Sequence, residues 1–249
     1  MPAVLAGFYG KLPARGDFVR GGLPRDFTDP WDAWLSRAIA GSRARMGEDW
    51  LPAFLEAPVW RFVLAPGLCG ERAVLGLMLP SVDRAGRYFP LTFAALFDTG
   101  FDTGFDAGAA AIDTAWLDCC EAAGRAALEQ DAAPEQIAAM LGVPAAGPSP
   151  RPWSASLSAP ATDGGDLPGE TGPSQSLWWT EGAPRVPATR LVISGMPNAC
   201  VYATMLDATT PDAASAAEAD QAAGAIQTTK EWGPVSDTPT GGDPWEPPS

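Results

Sequence analysis

The sequence predicts an α/β protein: a three-layer α/β/α sandwich around a mixed, partly antiparallel sheet of about five strands. Three observations lead there. Runs rich in β-branched and aromatic residues are joined by short turns, which excludes a purely parallel, doubly wound sheet. Apolar stripes at helical spacing come before, between and after those runs. The chain has 249 residues, 46% of them hydrophobic, enough for one sizeable core.

In order, Val4-Leu5-Ala6 reads as an opening strand. Thr28-Asp29-Pro30 reads as a helix start, a capping oxygen followed by proline in the first turn. Trp31, Trp34, Leu35, Ala38 and Ile39 then form one apolar stripe, and Gly47 ends the helix. A shorter helix is expected over residues 48–56. Strands follow at residues 59–64, 73–79 and 88–97. The second of these is apolar on both faces and belongs near the middle of the sheet. Pro90 requires an edge, a bulge or a break in the third. Gly100–Gly108 reads as a loop. A long helix is expected over residues 107–130, burying Ile112, Ala115, Trp116, Cys119, Ala123 and Ala126, with a second helix at 134–141. Residues 142–175 are rich in Pro, Gly, Ser and Ala and read as a mobile loop. Strands at 176–180 and 190–194 and a helix from Pro197-Asn198 to Leu206 close a domain spanning 1–208. Residues 209–249 read as an acidic, disordered tail, because they bury too little apolar area to offset the ordering entropy. Trp232 and Trp245 stand apart in it as possible anchors for a partner.

The net charge is −14, unevenly spread: residues 1–100 carry 11 basic and 10 acidic side chains, residues 101–249 carry 5 and 20. Such a surface repels nucleic acid and anionic membrane. There is no histidine, which removes Ser-His-Asp and Cys-His catalysis and every imidazole metal site. Cys69, Cys119, Cys120 and Cys200 lack C-x-x-C spacing, so no structural zinc is expected. The adjacent pair reads as small core residues in a reducing compartment. Neither a signal-peptide pattern nor a bilayer-length apolar run is present, and the chain is expected to be cytoplasmic. No cofactor and no metal are expected.

The stretch Gly7-Phe8-Tyr9-Gly10-Lys11-Leu12-Pro13-Ala14-Arg15-Gly16-Asp17-Phe18-Val19-Arg20 mixes aromatics, glycines and charges as a linker does not. It reads as a loop pinned to the domain body by Phe8 and Phe18. Its glycines are no P-loop, because no Gly-Lys-Ser/Thr closes the run. Asp17 is expected to pair with Arg15 or Arg20. A second mixed loop, Asp83 to Arg87, follows another strand, so the two loops are expected at one rim of the sheet. Lys11, Arg15, Asp17, Arg20, Asp83, Arg84 and Arg87 are therefore the candidate partner-binding residues, since arginine is a frequent hot-spot residue and its planar fork suits carboxylate or phosphate. The competing reading is a salt-bridged turn with no partner. Asp17 and Asp83 beside Arg15 and Arg84 also raise a metal-dependent hydrolase, but no activated nucleophile or D-x-D spacing supports it.

The Gly7 to Val19 stretch resembles the N-terminal signature of the TagF family, also called ImpM, of bacterial type VI secretion systems. Pro30-Trp31-Asp32-x-Trp34-Leu35, Ala57-Pro58-Val59-Trp60-Arg61-Phe62, Pro80 to Thr92 and Ser176-Leu177-Trp178-Trp179 resemble it too. The match runs over about residues 5–206. The resemblance implies an α/β/α sandwich without an active site. It implies a post-translational negative regulator that binds a cytoplasmic scaffold protein carrying a forkhead-associated (FHA) domain. Some relatives are fused to a PPM-type phosphatase; residues 207–249 leave no room for one, so a linked phosphatase would be a separate protein. The other role considered is a structural part of the secretion assembly.

Overall fold

A computed structural model describes residues 4–98, 114–144 and 175–210. Seven strands form one sheet: β1 (Val4–Gly10), β2 (Val19–Gly21), β3 (Trp60–Leu64), β4 (Ala73–Leu79), β5 (Leu91–Phe97), β6 (Gln175–Thr180) and β7 (Thr189–Ser194). Their order is β2-β1-β5-β4-β3-β6-β7, so the wholly apolar β4 is the central strand, as its sequence predicts. All six neighbouring pairs are antiparallel. The expected sheet of about five strands, partly parallel, is corrected on both counts. β2 is three residues long, too short to show a period, and exists through its ladder with β1. The direction in which a strand re-enters the sheet after a long helical connection is a tertiary outcome that local pattern does not carry. Pro90 acts as a break: β5 begins one residue after it, and Tyr88 is left in an isolated bridge with Val82.

Among the described residues, five α-helices accompany the sheet: α1 (Arg25–Met46), α2 (Trp50–Leu55), α3 (Thr114–Glu129), α4 (Pro134–Met140) and α5 (Ala199–Leu206). α1 starts one turn before the expected cap. Phe27 is fully buried and draws that turn into the helix, while Thr28 is buried rather than capping and Pro30 falls inside. Gly47 ends α1 with φ 59°, the left-handed region that glycine tolerates. Asn198 caps α5 by accepting from the Val201 N–H at 2.9 Å. On α3 the buried face is Trp116, Leu117, Cys120, Ala123, Gly124 and Ala127, turned by about one residue from the expected one. Cys119 is exposed, which corrects its reading as core. Gly124 explains the turn: a Cβ there would lie 3.0 Å from Leu79 and from Phe93, so the helix settles with its glycine against the sheet. Ile112, the loop at 100–108, most of the segment at 142–175 and nearly all of the tail from 209 onward, with Trp232 and Trp245, lie outside the described residues.

Alternation along β3, β4 and β5 feeds two cores. Trp60, Phe62, Leu64, Val74, Met78, Ala94 and Leu96 join α1, α2 and α5, while Val63, Leu75, Leu77, Phe93 and Ala95 join α3 and α4. The first core is unusually aromatic. Trp31 stacks on Phe62 at 4.7 Å, and Phe62 meets Trp178 at 5.0 Å. Each indole N–H in it has a partner: Trp31 donates to Thr92 Oγ1, Trp34 to the Pro197 carbonyl, Trp50 to Ser42 Oγ, Trp60 to the Met205 carbonyl and Trp178 to Ser176 Oγ. The donors cost nothing in burial, so the rings act as pure apolar bulk.

Gly76 in β4 lies under the Phe62 ring, where a Cβ would meet the Phe93 carbonyl oxygen at 2.4 Å and the ring at 2.6 Å. Backbone on one side and a packed ring on the other leave no room to yield. Gly76→Ala is therefore expected to lower unfolding free energy by about 1–3 kcal/mol in a denaturant titration. Trp178→Ala, which empties the centre of the cluster, is expected to lower it by about 3–5 kcal/mol.

Candidate functional site

The two mixed loops do meet. β1 ends at Gly10, whose φ of 147° lets the chain pass against the start of β5: a Cβ there would sit 2.2 Å from the Pro90 carbonyl oxygen. The chain then turns at Leu12, which is fully buried and whose carbonyl accepts from the Arg15 N–H at 3.0 Å. The other loop closes on itself. Asp83 donates its N–H to the Arg87 carbonyl at 3.0 Å, and Gly86 donates to the Asp83 carbonyl at 2.9 Å from a left-handed φ of 79°.

The loops are tied by a buried ion pair. Lys11 Nζ donates to Asp83 Oδ2 at 2.6 Å; the Lys11 side chain is 6% exposed and that of Asp83 0%. Arg87 Nε donates to the same oxygen at 2.7 Å. Asp83 Oδ1 accepts from the N–H groups of Ala85 and Arg87, each at 2.9 Å. Further ties run from Ser81 Oγ to the Lys11 carbonyl at 2.6 Å, from the Arg84 N–H to the Arg15 carbonyl at 2.9 Å, and from Arg87 to the Gly16 carbonyl. Burial alone would raise the pKa of the Asp83 carboxyl. The hydrogen bond from Lys11 and those from Arg87 and Ala85 outweigh it, and hold the group well below the usual carboxylate range.

An aromatic cluster adjoins this tie. Phe18 stacks on Tyr9 at 5.4 Å, meets the edge of Phe89 at 4.8 Å, and has Lys11 Nζ 4.3 Å from its ring centroid. The Tyr9 hydroxyl donates to Asp32 at 2.8 Å. Burial, then that carboxylate, push the Tyr9 phenol well above its ordinary pKa.

The seven candidate residues thus divide. Lys11 and Asp83 are buried and committed to each other, so they shape the surface rather than form it. With four donors on its two oxygens, Asp83 is also fully engaged as an acceptor. Arg87 is half-exposed and held upright by Asp83 and Gly16. Arg15, Asp17, Arg20 and Arg84 point to solvent. Asp17 pairs with neither Arg15 nor Arg20. It lies 3.9 Å from Arg87, while Arg15 lies 3.9 Å from Glu135 of α4, and both contacts are solvent-screened. Phe18, expected as a buried anchor, is 45% exposed, the one exposed aromatic among the described residues. Sequence reasoning did not count it with the candidates because an aromatic beside Val19 reads as core. A cleft of about 440 Å³ between α2, Pro80 and the end of α3 is lined by none of the seven. Among the described residues, no helix is long and apolar enough to cross a membrane.

Residues 7–142 match the family described as the TagF N-terminal domain, type VI secretion system-associated. The chain is also similar to PA0076 from Pseudomonas aeruginosa PAO1, known from a crystal structure at 2.05 Å resolution. The two share 35% identity over 83% of this chain and 96% of that one, with a TM-score of 0.66. No curated protein matches the chain.

Because the folded-state pKa of Asp83 lies below the unfolded value of about 3.9, its stabilisation is complete above that value and is lost as pH falls through the folded pKa. Unfolding free energies of the wild type and of Asp83→Asn, followed by denaturant titration downward from about pH 5, are expected to converge. Asp207, whose pKa is also lowered, is common to both proteins and cancels. Parallel curves would show that the Asp83 charge contributes nothing.

Proposed function

We propose, from the premise that the chain belongs to the TagF family of type VI secretion-associated proteins, that it is a non-enzymatic, post-translational repressor of such a system. It works by occupying a partner, and the family resemblance makes that partner the cytoplasmic FHA-domain scaffold protein. The observation that carries this reading is the joined rim of the two loops. Its arginines are presented on a surface stiffened from behind by the Lys11–Asp83 pair, and none of the seven candidates lines the cleft of about 440 Å³ beside α2. A fixed loop backbone with Arg87 and Phe18 held in place suits recognition of a protein, because less freedom remains to be lost there on binding. It does not suit turnover: the one buried carboxylate of the site is saturated with donors, and no histidine stands in for it as a base. Helices supplying both cores support reading the domain as a three-layer α/β/α sandwich that holds this rim. The protein is cytoplasmic in this reading.

Two measurements test the reading. Arg15→Ala combined with Arg84→Ala is expected to weaken binding to the FHA-domain scaffold by tenfold or more, on the order of 1.4 kcal/mol, with thermal unfolding nearly unchanged. Cells lacking the gene are expected to export more effector than their parents; equal export would overturn repression.

A further inference from the structure

We infer that the outer edge of β7 is an interface for a second copy of this chain, joined by an antiparallel β7–β7 pair centred on Val192. The inference goes beyond the reading above and does not depend on it.

β7 is the last strand of the sheet, and among the described residues no strand pairs with its outer side. Backbone N–H and C=O groups along that side form half a ladder. Folded chains normally blunt such an edge. The opposite edge shows how: β2 is three residues long, and α4 packs beside it. β7 instead runs six residues with no proline and no break in its register with β6, and its one charge, Arg190, stands next to the strand's start.

The centre of β7 has the composition of an inner strand. Leu191 and Ile193 pack on the core shared with α1 and α5, and Val192 packs on the core shared with α3 and α4, so the strand is apolar on both faces. Yet all three are only half-buried, whereas every residue of β4 and β5 is buried. One more strand would complete the ladder and cover both faces together. A helix or a small ligand would leave the ladder unmade, so the occupant is an extended backbone.

The side chains select a second copy. An apolar triplet with a polar residue at each end meets itself in kind when reversed. For each core to continue on its own side of the sheet, the two-fold axis must run normal to the sheet, and opposed residues must come from the same face. Centring on Val192 meets this condition. It sets Leu191 against Ile193 twice, Val192 against Val192, and Arg190 against Ser194. Centring on Leu191 would put Arg190 against Val192, and centring on Arg190 would oppose two guanidinium groups, which is unfavourable. β3 and β6 separate β7 from the strands that carry the Lys11–Asp83 rim, so both rims stay free in the dimer. Because the axis reverses strand direction, they face opposite ways.

The test is sedimentation equilibrium of the full-length chain. The net charge of −14 on each copy opposes pairing at long range, so it is run at about 0.15 M NaCl, where the screening length is about 8 Å. The wild type is expected to dimerise reversibly. Ser194→Glu, which sets a carboxylate against Arg190 of the other copy at two symmetric places, is expected to tighten the dimer by about threefold or more. Ser194→Arg is expected to loosen it by a similar factor, and Val192→Lys by about tenfold or more. Ser194 is exposed, so its two variants keep the test decisive even should Val192→Lys unfold the chain. Amide hydrogen exchange at residues 189–194 is expected to slow as the wild-type concentration rises. A chain that stays monomeric overturns the inference; if the FHA-domain scaffold then protects those amides, the occupant is a partner's strand. A dimer that all three variants leave unchanged is formed elsewhere, which also overturns it. A dimer broken by Val192→Lys but indifferent to both Ser194 variants overturns the register.

Discussion

The Lys11–Asp83 ion pair is the constraint on which the candidate surface depends. It bolts the end of β1 to the turn before β5, two places 72 residues apart. A buried pair is expensive to desolvate and earns its place only when all its remaining polar valences are met. Here they are. Asp83 receives four donors, and the ammonium lies against a ring as well as a carboxylate. Three of the residues exposed at the rim are held by something that touches this pair: Arg87 by Asp83, Phe18 by Lys11, and Arg84 through the backbone of the Arg15 loop.

The sheet makes that bolt possible. β1 and β4 both flank β5, so the ends of β1 and β4 and the start of β5 converge at one rim. Gly10 lets β1 approach Pro90 more closely than any side chain would allow, and Pro90 stops the ladder where the turn must begin. Behind the rim, the aromatic core gives the platform its stiffness. Its large flat rings fill the space between α1, α5 and the sheet, and each indole N–H ends on an oxygen, so no polar debt favours another packing.

The joined loops present their side chains on a backbone fixed by the Lys11–Asp83 pair and by the Arg84–Arg15 backbone hydrogen bond. The net charge of −14 disfavours nucleic acid, and Arg15, Arg84 and Arg87 are displayed on the joined loops. Membership of the TagF family places the chain in the setting of type VI secretion.

Much of this was legible in the residues alone, wherever the signal is local. The stripe of Trp31, Trp34 and Leu35, the wholly apolar β4, the break at Pro90 and the stop at Gly47 each follow from side-chain spacing or backbone chemistry, and each stands as read. The loops at 11–20 and 83–87 were also legible as one rim, because each follows a strand. What depends on distant partners was not. The three-residue β2, the antiparallel sense of every pair and the one-residue rotation of α3 are set by contacts across the sheet, which no local period encodes. Nor does composition distinguish a charge that is buried from one that is displayed. Lys11 and Asp83 look like surface residues and Phe18 looks like core, and the tertiary structure exchanges those roles because only folding brings the ammonium, the carboxylate and the ring within reach of one another.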